Sequence, residues 1–214
     1  MSFYEKLAQD TVAEREYLLS SPIIAKCMRG EVSHESYLAF LGQAFHHVRH
    51  TTPLLMLLGG RLPERLAWLR RPVAEYIEEE IGHEEWILDD IAAAGGDAAA
   101  VRASRPGFPA EVMVAFAYDL VNRGNPAGFF GMVFVLEGTS VAMALSAADR
   151  IQEALKLPDT AFSYLRSHGT LDQEHTRHLA VLLDQMTPED QADVVHYAKA
   201  FFRLYAEIFR SLPA

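Results

Sequence analysis

Thiols are almost missing from this chain. Of 214 residues only Cys27 is a cysteine, which rules out an intrachain disulfide and any cysteine-rich metal site. Its setting, Ile23-Ile24-Ala25-Lys26-Cys27-Met28, reads as core rather than as a nucleophile's pocket. Cations are also in deficit: 19 Lys plus Arg stand against 29 Asp plus Glu, a formal charge of −10. A general nucleic-acid binder needs a basic face, so that class is excluded, although a local basic pocket is not. No stretch of useful length alternates with period two, so strands are not expected. Linkers, low-complexity tracts and 20- to 50-residue repeats are lacking too. The start, MSFYEKLAQDTVAERE, is polar and amphipathic, unlike a signal peptide, and the expected compartment is the cytoplasm. There is one long apolar run, FFGMVFVLEGTSVAMALSAA from Phe129 to Ala148. It is long enough to cross a bilayer, but it carries Glu137, three small hydroxyl residues and two glycines, and has no companion. A buried central helix, with no membrane span, is the better expectation.

What is present is helical. Half the residues are hydrophobic, enough for one sizeable core over residues 1–214. Leu179, Leu182, Leu183 and Met186 follow the helical period, as do Phe201, Leu204, Tyr205 and Ile208. Breaks or helix starts are expected at Pro22, Gly30 to Ser33, Gly59-Gly60, Gly95-Gly96, Pro106 to Pro109, Gly124 to Pro126, Pro158 and Pro188. Ser33 is a candidate cap, as is Asp159 or Thr160 for the segment after Pro158. Thr187-Pro188-Glu189-Asp190 joins a cap, a proline at the first helical position and acids on the dipole. Pro53 and Pro72 kink helices or begin new ones. The expectation is an all-α, single-domain bundle of seven or eight helices.

Glu137 needs an explanation, because a bare carboxylate in an apolar interior must be paired, protonated or bound to a metal. An edge position or a basic partner would be the plain answer. Two other segments supply different partners. In Glu78-Glu79-Glu80-Ile81-Gly82-His83-Glu84, a continuous helix would put Glu80 and His83 on one face. Glu84 would share that face, while Glu79 would point about 100° away. A solvated acidic surface is the ordinary reading of such a run. Further on, His168, Asp172 and His175 stand at i, i+4 and i+7 and form a stripe, with His178 near its edge. Three carboxylates and three imidazoles exceed the needs of one metal but suit two. Helix bundles host such sites by turning Glu and Glu-x-x-His inward. Oxygen and imidazole donors without thiolate fit Fe, Mn or Zn.

Glu80-x-x-His83, Glu137 and His168-x3-Asp172-x2-His175, in that order, resemble the pattern of the heme-oxygenase-like diiron oxidases, often called iron-containing redox enzymes. The resemblance runs from about Phe40 to the last helix. It implies a helical fold of the heme-oxygenase type and two Fe(II) ions, with Mn a possible substitute and O2 as co-substrate. It further implies that Glu80, His83 and His168 hold one iron. Glu137, Asp172 and His175 would hold the other, with Glu80 available as a bridge. Oxidative cleavage, decarboxylation or N-oxygenation of a small carboxylate- or amine-bearing substrate would follow, with an external electron donor.

Other readings share the fold. FVLEGTS is similar to a stretch of the heme oxygenase distal helix, but Val141-Ala142-Met143-Ala144 lacks the glycine pair that lets backbone approach heme. His46, His47 or His50 would have to be the axial ligand, and the acids would have no role. In the thiamin-salvage hydrolases the nucleophilic cysteine lies in the second half of the chain, away from Cys27. The cofactorless oxidases of pyrroloquinoline quinone synthesis have strongly basic pockets. A non-catalytic iron- or ligand-binding protein remains a separate class. His47, Arg49 and His50 are candidates for the substrate pocket, with Arg49 meeting a substrate carboxylate. The Phe129, Phe130, Met132 and Phe134 cluster reads as core. A two-fold homodimer is compatible with an enzyme of this size, but the sequence singles out no interface.

Overall fold

The structure, a computed structural model, describes residues 2–213, except for the side chains at 171 and 173. The described residues form twelve α-helices, three short 3-10 turns and no strand. The helices are α1 (Phe3–Asp10), α2 (Val12–Leu19), α3 (Pro22–Met28), α4 (His34–Val48), α5 (Thr51–Arg61) and α6 (Arg70–Glu80). Then come α7 (His83–Ala93), α8 (Ala98–Ala103), α9 (Phe108–Arg123), α10 (Phe129–Leu155), α11 (Ser163–Asp184) and α12 (Pro188–Arg210). The chain is thus an all-α single domain, divided more finely than the expected seven or eight helices.

The local chemistry explains most boundaries. Ser33 accepts from the Ser36 N–H at the start of α4, and Thr187 accepts from the Asp190 N–H at the start of α12, where Pro188 takes the first position. Pro53 and Pro72 sit in the first turns of α5 and α6, where a missing N–H costs nothing. The break expected at Gly59-Gly60 falls later. Both glycines lie inside α5, which ends at Arg61 because Pro63 drives Leu62 out of the helical region, to ψ 120°.

The start of α11 also differs from expectation. Neither Asp159 nor Thr160 caps it; both lie in a separate 3-10 turn, Asp159–Ala161. The cap comes from α7 instead. The fully buried Asp90 carboxylate accepts from the Ser163 and Tyr164 N–H groups, each at 2.9 Å, and from the Ser163 hydroxyl. Burial pushes the Asp90 carboxyl up, and these hydrogen bonds restrain the shift. This tie fixes the helix that carries His168, Asp172 and His175.

The helix α10 is the spine, packed against α3, α9, α11 and α12. It passes the length and composition test for a membrane span, but 56% of its apolar window is buried inside the fold. Its first half, Phe129 to Val135, is buried in a core shared with α5, α9 and α12. Its second half gives Ala144, Ala148 and Ile151 to another core, shared with α4, α7 and the start of α11. Each large side chain so buried contributes about 1.5–3 kcal/mol. Phe129, Phe130, Met132 and Phe134 all belong to the first core. Glu137 lies on α10 between the two cores.

Candidate metal centre

Four helices bring the polar residues to this junction. Glu80 is the last residue of α6 and His83 the first of α7, so the two do not share a helix face as the spacing implied. The chain breaks at Ile81-Gly82, where Gly82 adopts φ +92°, a left-handed conformation that glycine takes without strain. The turn nevertheless brings His83 Nδ1 to 3.2 Å from Glu80 Oε2, and both side chains are buried. Glu137 comes from α10, and His168, Asp172 and His175 from successive turns of α11.

These six residues gather as two groups. Glu80, His83 and His168 form one; Glu137, Asp172 and His175 form the other. Within each, every residue offers a ligand-type atom, and those atoms lie within 4.8 Å of one another. Glu84 and His178 belong to neither group.

Three atoms of the centre are buried without a hydrogen-bond partner: His83 Nδ1, His175 Nδ1 and Glu137 Oε2. Leaving such an atom unsatisfied costs about 1–3 kcal/mol. A cation at each group would satisfy all three. The donor set, oxygen and imidazole without thiolate, fits iron, manganese or zinc.

The surroundings fix the donors' orientation. His168 Nδ1 lies 3.1 Å from the Tyr164 carbonyl. A carbonyl only accepts, so Nδ1 carries the proton and Nε2 keeps its lone pair. His83 stacks on Trp86, ring centres 4.0 Å apart, and meets His168 edge-on at 4.9 Å. The Tyr76 hydroxyl donates a short hydrogen bond to Glu137 Oε1. Burial raises the Glu137 carboxyl, His175 and Tyr76 pull it back, and the balance is about 7. Burial lowers the His175 imidazole, but Asp172 and Glu137, at 3.6 and 3.4 Å from Nδ1, carry it up to about 10. His168 is lowered, by burial first.

A cavity of about 160 Å³ opens from Glu80, Glu137, His168 and Asp172. Its walls are largely apolar, including Ile24, Phe40, Leu136, Met143 and Ile151. No Lys or Arg lines it among the described residues. His47 is in the wall, edge-on to Tyr205, and burial holds its imidazole down to about 3. Arg49 and His50 do not line this cavity. Two residues past His47, Arg49 points about 200° away from it by helical spacing and is exposed, its guanidinium carbon 5.3 Å from the Phe45 ring centre, while His50 meets the Tyr118 hydroxyl at 3.1 Å. His46 is drawn off to Ser104 Oγ at 2.9 Å, so the three histidines form no cluster. Cys27 does reach the cavity, where burial pushes its thiol up and away from a reactive thiolate. Sequence reasoning missed Tyr76, Asp90 and the cavity tyrosines Tyr164 and Tyr205. Nothing in their spacing marked them.

Residues 38–206 match the family described as iron-containing redox enzymes. No curated protein sequence matches the chain. Among solved structures, a domain of unknown function with a heme oxygenase-like fold from Shewanella denitrificans is 25% identical. Its TM-score is 0.86, with 96% of this chain and 89% of that chain covered. A heme oxygenase from Leptospira interrogans is 16% identical at TM-score 0.75, covering 99% and 100% of the two chains. A TenA homolog from Pseudomonas syringae is 10% identical at TM-score 0.78, covering 96% and 90%. The last two likenesses establish the fold alone.

Proposed function

Taking as premise that the chain belongs to the family of iron-containing redox enzymes, we propose that it is an O2-dependent oxidase with a non-heme dinuclear iron site. The observation that carries this reading is the pair of three-residue groups with three unpartnered buried donor atoms between them. Glu80, His83 and His168 would hold one ion, and Glu137, Asp172 and His175 the other. Two ferrous ions there would supply electrons to O2 and an oxidant to the substrate, with an external donor restoring them. Heme would leave three buried carboxylates without a role.

The chain's own residues set the remaining terms. The Tyr76 hydroxyl keeps Glu137 oriented with one oxygen free. The largely apolar wall lowers the local dielectric, which strengthens electrostatic interactions at the site. The His47 imidazole stays neutral, so it can donate or accept one hydrogen bond to a substrate's polar end. With no cation in the wall, a substrate carboxylate would depend on the metal charge and an amine on Glu80 or Asp172. An amine- or carboxylate-bearing molecule with an apolar body suits this space. Oxidative cleavage, decarboxylation and N-oxygenation are the reaction outcomes proposed for it.

The test is to load the protein anaerobically with Fe(II), desalt, count iron per chain, and admit O2 while recording absorbance and O2 uptake with candidate acids and amines. About two irons, an O2-dependent optical change and substrate loss coupled to O2 uptake are expected. Normal iron binding in a His168→Ala, Asp172→Ala double variant would falsify the ligand set.

A further inference from the structure

A second pocket reaches the centre between α6 and α11 and shares only Tyr76 and Glu137 with the apolar cavity. It is lined by Glu75, Glu79, Glu137, His175 and His178 among others. Within it Glu79 Oε2 lies 2.9 Å from His175 Nε2. Helical spacing had turned Glu79 about 100° from Glu80, and that divergence is what points it at α11 instead of into the centre.

We infer that Glu79 is a positioning residue that makes His175 a metal ligand through Nδ1; the inference rests on the dinuclear reading above. A carboxylate accepts, so the proton on that contact belongs to Nε2. The ring is then held from outside by one nitrogen while the other, Nδ1, stands buried and unpartnered, 3.4 Å from Glu137 and 3.6 Å from Asp172. A carboxylate behind a metal-bound imidazole fixes its tautomer and ring plane and raises its basicity. His168 is oriented in the opposite sense: the Tyr164 carbonyl takes its Nδ1 proton and leaves Nε2 free. His168 and His175 would thus present different imidazole nitrogens. Glu79 itself is 53% exposed, so its substitution leaves the core intact.

The test is anaerobic titration of the full chain with Co(II), whose visible bands report each bound ion, then with Fe(II). Wild type, Glu79→Ala, Glu79→Gln and Glu78→Ala would be compared, the last removing an exposed acid from the same helix. Glu79→Ala should weaken one of two equivalents by about 10–100-fold and spare the other. Glu79→Gln, which keeps an acceptor for Nε2–H, should restore most of the loss, and Glu78→Ala should match wild type. In the Zn(II)-loaded protein, long-range 1H–15N spectra should find His175 protonated at Nε2. Wild-type binding by Glu79→Ala, or equal weakening by Glu78→Ala, would overturn the inference while leaving the dinuclear reading standing. Wild type that binds no metal would overturn both.

Discussion

Replacing Gly131 with alanine sets two effects of opposite sign against each other. A Cβ built there would lie 2.6 Å from the Val194 carbonyl oxygen and 2.7 Å from the Ala198 nitrogen. Both are backbone atoms of α12, so neither can turn aside. Moving the nearest contact out to an ordinary 3.4 Å requires α10 and α12 to part by about 0.8 Å. Overpacking of this kind costs about 1–3 kcal/mol, and a rigid backbone obstacle belongs at the upper end. Alanine's better helix propensity returns about 1 kcal/mol. The net loss is about 2 kcal/mol, or a Tm lower by about 4–8 °C in a domain of this size. Glu137 lies six residues along the same helix, about 9 Å away, so its carboxylate should shift and metal affinity should fall. Gly138→Ala is the control on the same helix: nothing lies within 4 Å of its added Cβ. It should gain up to about 1 kcal/mol by propensity alone. Thermal melts followed by circular dichroism, together with Co(II) titration, give both readouts. Gly131→Ala as stable as wild type would refute the argument from close helix approach.

Other outcomes follow from the same geometry. Asp90→Ala removes three hydrogen bonds from the start of α11 and should cost about 3 kcal/mol or more by urea unfolding, with weaker metal binding. Tyr76→Phe leaves Glu137 Oε1 without its donor and should destabilise the metal-free protein by about 1–3 kcal/mol. An unchanged unfolding midpoint would count against that bond. His47 is held at about 3, against an ordinary 6.5, so the folded chain keeps it neutral while the unfolded chain takes up a proton. Its contribution to stability is complete above pH 6.5 and is lost as pH falls toward 3, by about 2 kcal/mol down to pH 5. His47→Gln should flatten that acid limb in urea titrations across the range.

The all-α class was legible because apolar residues recur at helical spacing and because prolines, glycines and caps punctuate them. Thr187-Pro188 and Ser33 behave as local chemistry requires, since a cap is made within four residues of chain. The six ligand-type residues also stood out, because acids and histidines in apolar surroundings need a partner. Their grouping did not follow from periodicity. Glu80 and His83 look like neighbours on one helix, yet Gly82 breaks it, and only the turn's own path returns them to contact.

Long-range contacts decided the rest. Asp90 caps a helix 73 residues further on, and no local pattern announces such a bond. Arg49 and His50 lie outside the cavity, Arg49 in solvent and His50 against the hydroxyl of Tyr118, 68 residues further on. Glu79 reads as a surface acid from its spacing and becomes His175's partner only when α11 passes beside α6. By itself the sequence determined the helical class and singled out buried acids and histidines that need a polar partner, since both follow from composition and local spacing. Which nitrogen faces which oxygen, and where the apolar cavity opens, was decided only by the tertiary structure, because side-chain direction depends on helix packing that no single segment encodes.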